Sequence, residues 1–147
     1  MSASGSSRRG TEEGALAIEA AFIMPVLLLM MIGSVEFGRA FWTYQRMLLA
    51  VEEAGRYAMV YAAAPSLLNS TSCPSVVTVT ISNCAVARAN TYLAAYGTTG
   101  VSVSSTQDAA TPPNLTIKAT YAFNFVLPAL LPYGPINLSS QVKVPLI

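Results

Sequence analysis

The stretch that decides the fold is ALAIEAAFIMPVLLLMMIGSV, which runs from Ala15 to Val35. Its 21 residues carry a single charge, Glu19. At about 1.5 Å per residue, a helix of this length spans a hydrocarbon layer of about 30 Å. Pro25 removes one backbone hydrogen bond and is expected to kink or loosen the helix. The sequence therefore predicts a transmembrane helix over residues 15–35.

A cleaved secretory signal peptide is the alternative interpretation of this stretch. Arg8 and Arg9 supply the positive charge that such a signal needs. The residues after the apolar core, 33–39, are a poor cleavage site because they run directly into a helical pattern. We favour a retained helix, preceded by a small and polar leader over residues 1–14 that we predict to be disordered.

The composition of the chain excludes several classes of function. Only 10% of the 147 residues are charged, the net charge is +1, and no cluster of lysine and arginine occurs, so a basic nucleic-acid binder is excluded. The absence of histidine removes the usual catalytic triads and zinc sites, and two cysteines cannot hold an iron–sulfur cluster alone. We expect no enzymatic activity, no metal, no cofactor and no nucleic-acid partner.

The helix is expected to continue beyond the membrane over residues 36–64, where no proline occurs, and to end at Pro65. Two pairs, Glu36 with Arg39 and Glu52 with Arg56, have the spacing of helical ion pairs. An apolar stripe recurs at three- and four-residue steps, and it fits packing either beneath a C-terminal sheet or against partner helices. The residues of this stripe are Phe37, Phe41, Tyr44, Leu48 and Val51.

The C-terminal part, residues 65–147, is rich in serine and threonine and holds only four charged side chains. Clear period-two alternation predicts two strands, over 114–125 and 136–146, and a hydrophobic, proline-rich connection joins them. Weaker patterns predict further elements: a short strand over 77–81, a helix from Ser82 or Asn83 to Tyr96 ended by Gly97, a strand near 101–103, and a turn over 108–113.

These elements predict an α+β, pilin-like architecture, in which a small antiparallel sheet packs on the long N-terminal helix. One-sided strands need a cover for their apolar face, and the amphipathic helix is available for it. Cys73 and Cys84 are eleven positions apart. In an exported protein we expect them to form a disulfide, with free thiols as the alternative.

The N-terminal segment resembles a type IV prepilin-like signal. Gly14 lies five residues before Glu19, and a long apolar helix follows. In such proteins a membrane peptidase cuts after the glycine on the cytoplasmic side, so that Ala15 becomes the first residue of the mature chain. The Glu19 carboxylate can then pair with the new N-terminal ammonium of a neighbouring helix. Alternatively, Glu19 merely extends to the membrane interface.

The order and spacing of several short motifs resemble the TadE-like family, pseudopilins of the bacterial tight-adherence, or Flp-type, pilus. The motifs are Gly14 to Pro25, the leucine-rich run, Glu36-Phe37-Gly38-Arg39, Ala54-Gly55-Arg56-Tyr57-Ala58, and a C-terminal part that includes Tyr121-Ala122-Phe123-Asn124-Phe125. Major pilins of this system usually carry an aromatic residue directly after the glutamate. Ala20 stands there in this chain, which favours a minor subunit.

The resemblance implies a minor pseudopilin that is anchored in the inner (cytoplasmic) membrane by a single span. Arg8 and Arg9 precede the span and Arg39 and Arg46 follow it, so positive charge favours neither orientation. The resemblance and the hydroxyl-rich C-terminal part favour a cytoplasmic N-terminus and an exported head. The implied partners are a prepilin peptidase, the inner-membrane assembly platform, membrane lipid, and other pilins or pseudopilins through the N-terminal helix. The alternative function is a single-pass, membrane-anchored extracytoplasmic interaction module that never enters a filament.

Overall fold

The computed structural model describes residues 7–69, 71–73, 76–126 and 134–147. The chain divides into two compact units, Met1–Arg39 and Ala40–Ile147. The first unit consists, where it is described, of a single helix that is mostly apolar. The second contains helices and one antiparallel sheet, so the predicted α+β class is confirmed.

The first helix, α1, spans Ser7–Ala63 and is continuous through Pro25. It begins inside the leader that the sequence predicts to be disordered. Extension of a helix that is already nucleated costs far less than nucleation, so the helix reaches into the leader although Gly10 and Gly14 are poor helix formers. Its C-terminal end agrees with the prediction, because Pro65 follows and opens a short 3₁₀ helix, Pro65–Leu67.

The second half of α1 packs on the sheet through small side chains. Met47 and Val51 are completely buried, and between and beyond them lie the buried alanines 50, 54 and 58. The predicted aromatic stripe lies on another face: Phe41 is 54% exposed, and of that stripe only Val51 is fully buried. The prediction that these aromatic residues pack beneath the sheet is therefore wrong, because the sheet approaches the face where small residues leave room for it.

The second helix, α2, spans Ile81–Ala95. Thr80 caps its N-terminus by accepting a hydrogen bond from the Asn83 amide at 3.2 Å. The predicted cap at Ser82 or Asn83 is therefore wrong by two or three positions. The predicted strand over 77–81 is also wrong, since the described residues there form no strand and Ile81 begins the helix. Alternation over five residues is too short to outweigh a helix cap.

Gly97 ends α2 as predicted. It adopts a left-handed conformation, with φ of +67°, which glycine tolerates without steric cost. The Gly97 amide donates to the Ala94 carbonyl at 3.0 Å, and the Thr98 amide donates to the Leu93 carbonyl at 2.9 Å. These two hydrogen bonds form a Schellman motif, and they satisfy carbonyl groups that the end of a helix leaves unpaired.

The sheet is antiparallel in the order β1-β2-β3, with β1 at Ser102–Gln107, β2 at Asn114–Phe123 and β3 at Ile136–Pro145. The two strongly alternating strands of the sequence are thus confirmed, in register with each other from Asn114↔Pro145 to Phe123↔Ile136. The inward side chains of β2, among them Leu115, Ile117 and Ala119, form the core with α1 and α2. Much of the predicted connection between β2 and β3, residues 127–133, lies outside the described residues.

The turn between β1 and β2 is organised by Asp108. Its carboxylate accepts hydrogen bonds from the backbone amide of Asn114 at 2.6 Å and from the Asn114 side chain at 2.9 Å. Lys143 of β3 lies 3.1 Å from the same carboxylate. These contacts, led by the Asn114 amide, hold the pKa of Asp108 well below its ordinary value.

Candidate functional site

The apolar half of α1 presents large hydrophobic side chains on every face. From Gly14 to Met31 all described side chains are exposed, including Phe22 at 76% and Met30 at 67%. Among the described residues, the stretch Gly14–Ala63 of this helix is the one segment long and apolar enough to cross a membrane, by length and composition. A surface that is hydrophobic all round is stable in lipid or against other apolar helices, not in water. The helix fits a single-pass membrane anchor.

Gly14, Ala15 and Glu19 lie in the first part of this exposed surface. A β-carbon added to Gly14 would meet no atom within 4 Å beyond the adjacent residues and the nearby helix backbone. Ala15 and Glu19 are four residues apart and so share one face of α1, one turn from each other. Within the part of the chain that the structure describes, the Glu19 carboxylate makes no hydrogen bond or ion pair. This carboxylate is therefore available to a partner.

An ion pair follows the apolar stretch directly. Glu36 is 5% exposed, and one of its carboxylate oxygens accepts a hydrogen bond from Arg39 at 2.8 Å. The pair predicted from the spacing is thus confirmed. Its effect is local neutralisation, because a buried carboxylate without a cation would be strongly unfavourable at the end of an apolar helix.

The second predicted pair on α1 is wrong. Among the described residues, Glu52 and Arg56 form no ion pair with each other, whereas the neighbouring Glu53 binds Arg88 of α2 at 2.9 Å. A local pair at four-residue spacing contributes little when its charges are solvated, and Arg56 is exposed to water. Sequence spacing on α1 gives no indication of Arg88.

An arginine stacked between two aromatic rings was missed by the sequence analysis. The guanidinium carbon of Arg46 lies 4.4 Å from the ring centre of Trp42 and 4.1 Å from that of Tyr96 at the end of α2. Tyr92 packs against Tyr96 with ring centres 4.7 Å apart. Burial raises the pKa of Tyr92, and the hydroxyl of Tyr96 raises it further. The four-residue spacing of Trp42 and Arg46 could have indicated half of this cluster, but the contact with α2 is not visible in the sequence.

Cys73 and Cys84 form a disulfide, with their α-carbons 5.5 Å apart. Both are almost completely buried. The bridge fastens the loop before α2 to the first turn of that helix. The same loop is held to α1, because the Tyr57 hydroxyl donates a hydrogen bond to the Ser72 carbonyl at 3.1 Å. Burial raises the pKa of Tyr57.

Within the described residues, no group of three or more histidine, cysteine, aspartate or glutamate side chains is placed to hold a metal ion. The described functional features are thus an exposed apolar helix with one carboxylate, a stacked arginine beyond it, and a disulfide-braced α+β unit.

Comparison with known proteins finds one similarity, and it lies in the first helix. Residues 14–56 match a family model described as TadE-like protein, under a third of the chain. No curated protein and no solved structure matches the chain. The match begins at Gly14 and includes Glu19, Glu36-Phe37-Gly38-Arg39 and Arg56, whereas the C-terminal motif around Tyr121 lies outside it. The resemblance to the TadE-like family predicted from the sequence is thus confirmed over the N-terminal helix, residues 14–56.

Proposed function

We propose that this chain is a minor pseudopilin-like assembly protein of a bacterial tight-adherence pilus, anchored in the cytoplasmic membrane by α1. The observation that carries the proposal is the fully exposed apolar surface of α1, which coincides with the TadE-like match from Gly14 onward. That family is structural and pilus-associated. The same helix would first anchor the chain in the membrane at the assembly platform. It would then pack against the helices of other pilins.

The role of Glu19 follows from its position in that surface. A carboxylate is costly in an apolar layer unless it is paired. If a prepilin peptidase cuts after Gly14, the ammonium group of Ala15 becomes the nearest source of positive charge on each helix. Pairing of Glu19 with the Ala15 ammonium of a neighbouring helix would neutralise both charges and fix the axial register of packed helices.

The orientation of the chain is supported by the second unit. Disulfides such as Cys73–Cys84 form in oxidising compartments and are rare in the cytosol. The outward side chains of the sheet are mostly hydroxyl or amide groups, in rows such as Ser102, Thr120 and Ser139. Both features support an exported head and therefore a cytoplasmic N-terminus.

Intact-mass analysis of the protein extracted from its native membrane tests the proposal. We expect a mass that corresponds to a chain beginning at Ala15. Gly14→Leu should retain residues 1–14, because a bulky side chain replaces the small residue at the cleavage position. Gly33→Leu is the matched control, because at both glycines an added β-carbon would meet no atom within 4 Å beyond the adjacent residues and the nearby helix backbone.

A wild-type mass that corresponds to a chain from Met1 or Ser2 would contradict the pseudopilin proposal. It would favour the alternative, a single-pass anchor that carries an extracytoplasmic interaction module and stays outside the filament. Equal processing of Gly14→Leu and wild type would place the cut elsewhere and remove the proposed role of Glu19.

A further inference from the structure

Arg46 is held in a geometry that leaves its hydrogen-bonding edge available. Its guanidinium lies against the Trp42 ring on α1 and the Tyr96 ring of the α2 cap. Aromatic faces attract a cation through its flat surface and do not accept its N–H groups in the plane of the guanidinium. In the part of the chain that the structure describes, Arg46 has no carboxylate or carbonyl partner. The stack therefore orients a planar donor whose N–H groups stay available to a ligand.

The two flanking rings are exposed. Trp42 is 62% exposed and Tyr96 is 51% exposed, although each is a large aromatic residue. Glu53, which lies on the same helix, already binds Arg88. The cluster is thus an amphipathic surface with net positive charge, made of tryptophan, tyrosine and arginine. This is the composition typical of the belt where membrane proteins meet lipid headgroups.

The position of the cluster along the chain agrees with such a belt. Trp42 follows Val35, the last residue of the predicted span, by seven residues, or about 10 Å along a helix. Each headgroup layer is roughly 5–8 Å thick beyond the hydrocarbon. Helical side chains point back toward the N-terminus, which here is the direction of the span. By distance along the chain, Trp42 therefore falls within side-chain reach of the headgroup layer.

We propose that Trp42, Arg46 and Tyr96 bind the phosphate of anionic phospholipid headgroups at the membrane surface from which α1 emerges. This inference rests on the membrane anchoring in the proposed function and adds a second contact with lipid, made by the head. A guanidinium donates two parallel hydrogen bonds to phosphate oxygens, and the two rings keep it oriented for that contact. Because Tyr96 closes α2, lipid binding there would also hold the C-terminal end of α2 at the membrane surface.

Trp42 is the single tryptophan of the chain and reports directly on this site. The full chain is placed in vesicles of phosphatidylcholine alone or of phosphatidylcholine with phosphatidylglycerol. Tryptophan quenching is measured with a headgroup spin-labelled lipid and, separately, with acrylamide in the water. We expect phosphatidylglycerol to increase quenching by the headgroup label and to decrease quenching by acrylamide.

Arg46→Gln should lose both changes, since the neutral amide cannot bind the phosphate as a cation. Arg46→Lys keeps the charge without the planar donor and should retain only part of the response. Arg56→Gln is the matched control, because it removes an exposed positive charge from the same helix outside the cluster.

Equal quenching of wild type in both vesicles, or equal loss in Arg46→Gln and Arg56→Gln, would overturn the proposal. Protection from acrylamide that disappears when the protein is diluted with excess lipid would overturn it in favour of contact with a second copy. Resistance to alkaline extraction distinguishes headgroup binding by the Arg46 cluster from membrane anchoring by α1. An inserted chain whose Trp42 ignores the headgroups refutes this inference alone, whereas a chain that is extracted refutes the anchoring as well.

Discussion

Gly55 of α1 lies so close to β3 that a β-carbon on it would be 3.2 Å from the Cγ1 atom of Val144, and equally close to that of Val142. Few real β-carbons have neighbours at that distance. The glycine therefore sets how closely α1 approaches the sheet, and the flanking alanines 54 and 58, which are both fully buried, share that close approach. The sheet covers the helix here because the helix offers almost no side-chain volume.

Gly55→Leu should destabilise the second unit. Leucine favours a helix over glycine by roughly 1 kcal/mol, but its side chain must displace two valines of the core. Overpacking of this kind usually costs about 1–3 kcal/mol, so we expect a net loss of stability. Thermal unfolding of the full chain in detergent, followed by circular dichroism, measures it. Gly38→Leu is the control, since no atom lies within 4 Å of its added β-carbon, and an equal loss in both variants would contradict the packing argument.

The sequence predicts the elements of this fold better than their contacts. Long alternation defines β2 and β3, and Pro65 defines the end of α1, because both signals are local and strong. Hydrophobic periodicity predicts the wrong buried face of α1, because it gives more weight to the large side chain of Phe41 than to the small side chain of Ala54. Which face is buried depends on close approach to the sheet, and that is a property of the tertiary packing rather than of hydrophobicity along the helix.

The Cys73–Cys84 disulfide should carry a measurable part of the stability. A bridge that closes a loop of eleven positions contributes about 2–3 kcal/mol, largely by restricting the unfolded chain. The double variant Cys73→Ser/Cys84→Ser should unfold at a lower temperature by a corresponding amount. Reductant should lower the melting temperature of wild type to that of the variant and leave the variant unchanged. An unchanged melting temperature of wild type, once thiol labelling shows that the disulfide has been reduced, would contradict this expectation.

Because of Asp108, the folded protein should become less stable at acidic pH. Its pKa is depressed by the Asn114 amide, the Asn114 side chain and Lys143, so the folded protein favours the ionised form more than the unfolded chain does. The resulting stabilisation is fully present above the ordinary aspartate pKa of about 3.9 and is lost as the pH falls below it. Asp108→Asn should therefore flatten the decline of melting temperature in this acidic range.

Asp108 is the only aspartate of the chain, so carbon-13 labelling of aspartate gives its titration directly by nuclear magnetic resonance. Glu52→Gln is the control for the stability measurement, because it removes a carboxylate outside this turn. An acidic decline that is flattened equally in both variants would contradict the role of Asp108. A carboxyl that titrates at the ordinary aspartate value would refute the role assigned to the Asn114 hydrogen bonds.

The sequence predicts those parts of the candidate site whose residues are close together along one helix. Gly14, Ala15 and Glu19 follow one another on a single helix, and the Glu36–Arg39 pair is local. The Arg46 stack and the Glu53–Arg88 pair each join α1 to α2, and no spacing within one helix indicates which residues of the other will meet them. The contacts between α1 and α2 are therefore seen only in the structure, whereas the local features of α1 are predicted from the sequence.

Glu19→Gln should abolish incorporation into filaments and leave membrane insertion intact. The amide keeps the shape of the side chain but cannot neutralise an ammonium group in an apolar layer, so the proposed contact between helices is lost. Insertion depends on the apolar length of the helix, which this change does not shorten. Sheared surface filaments and the membrane fraction, each probed for the protein, measure the two quantities separately.

Glu12→Gln is the matched control for this experiment. It removes the same charge seven residues earlier, within the segment that cleavage after Gly14 would discard, so the mature chain would be identical to wild type. The Glu12→Gln protein should therefore be incorporated into filaments normally, whereas the Glu19→Gln protein should be absent from them. Normal incorporation of Glu19→Gln would show that the carboxylate does not set the register, even if the leader is removed. A defect in Glu12→Gln equal to that of Glu19→Gln would instead indicate that residues 1–14 remain on the working protein, which removes the Ala15 ammonium on which the pairing depends.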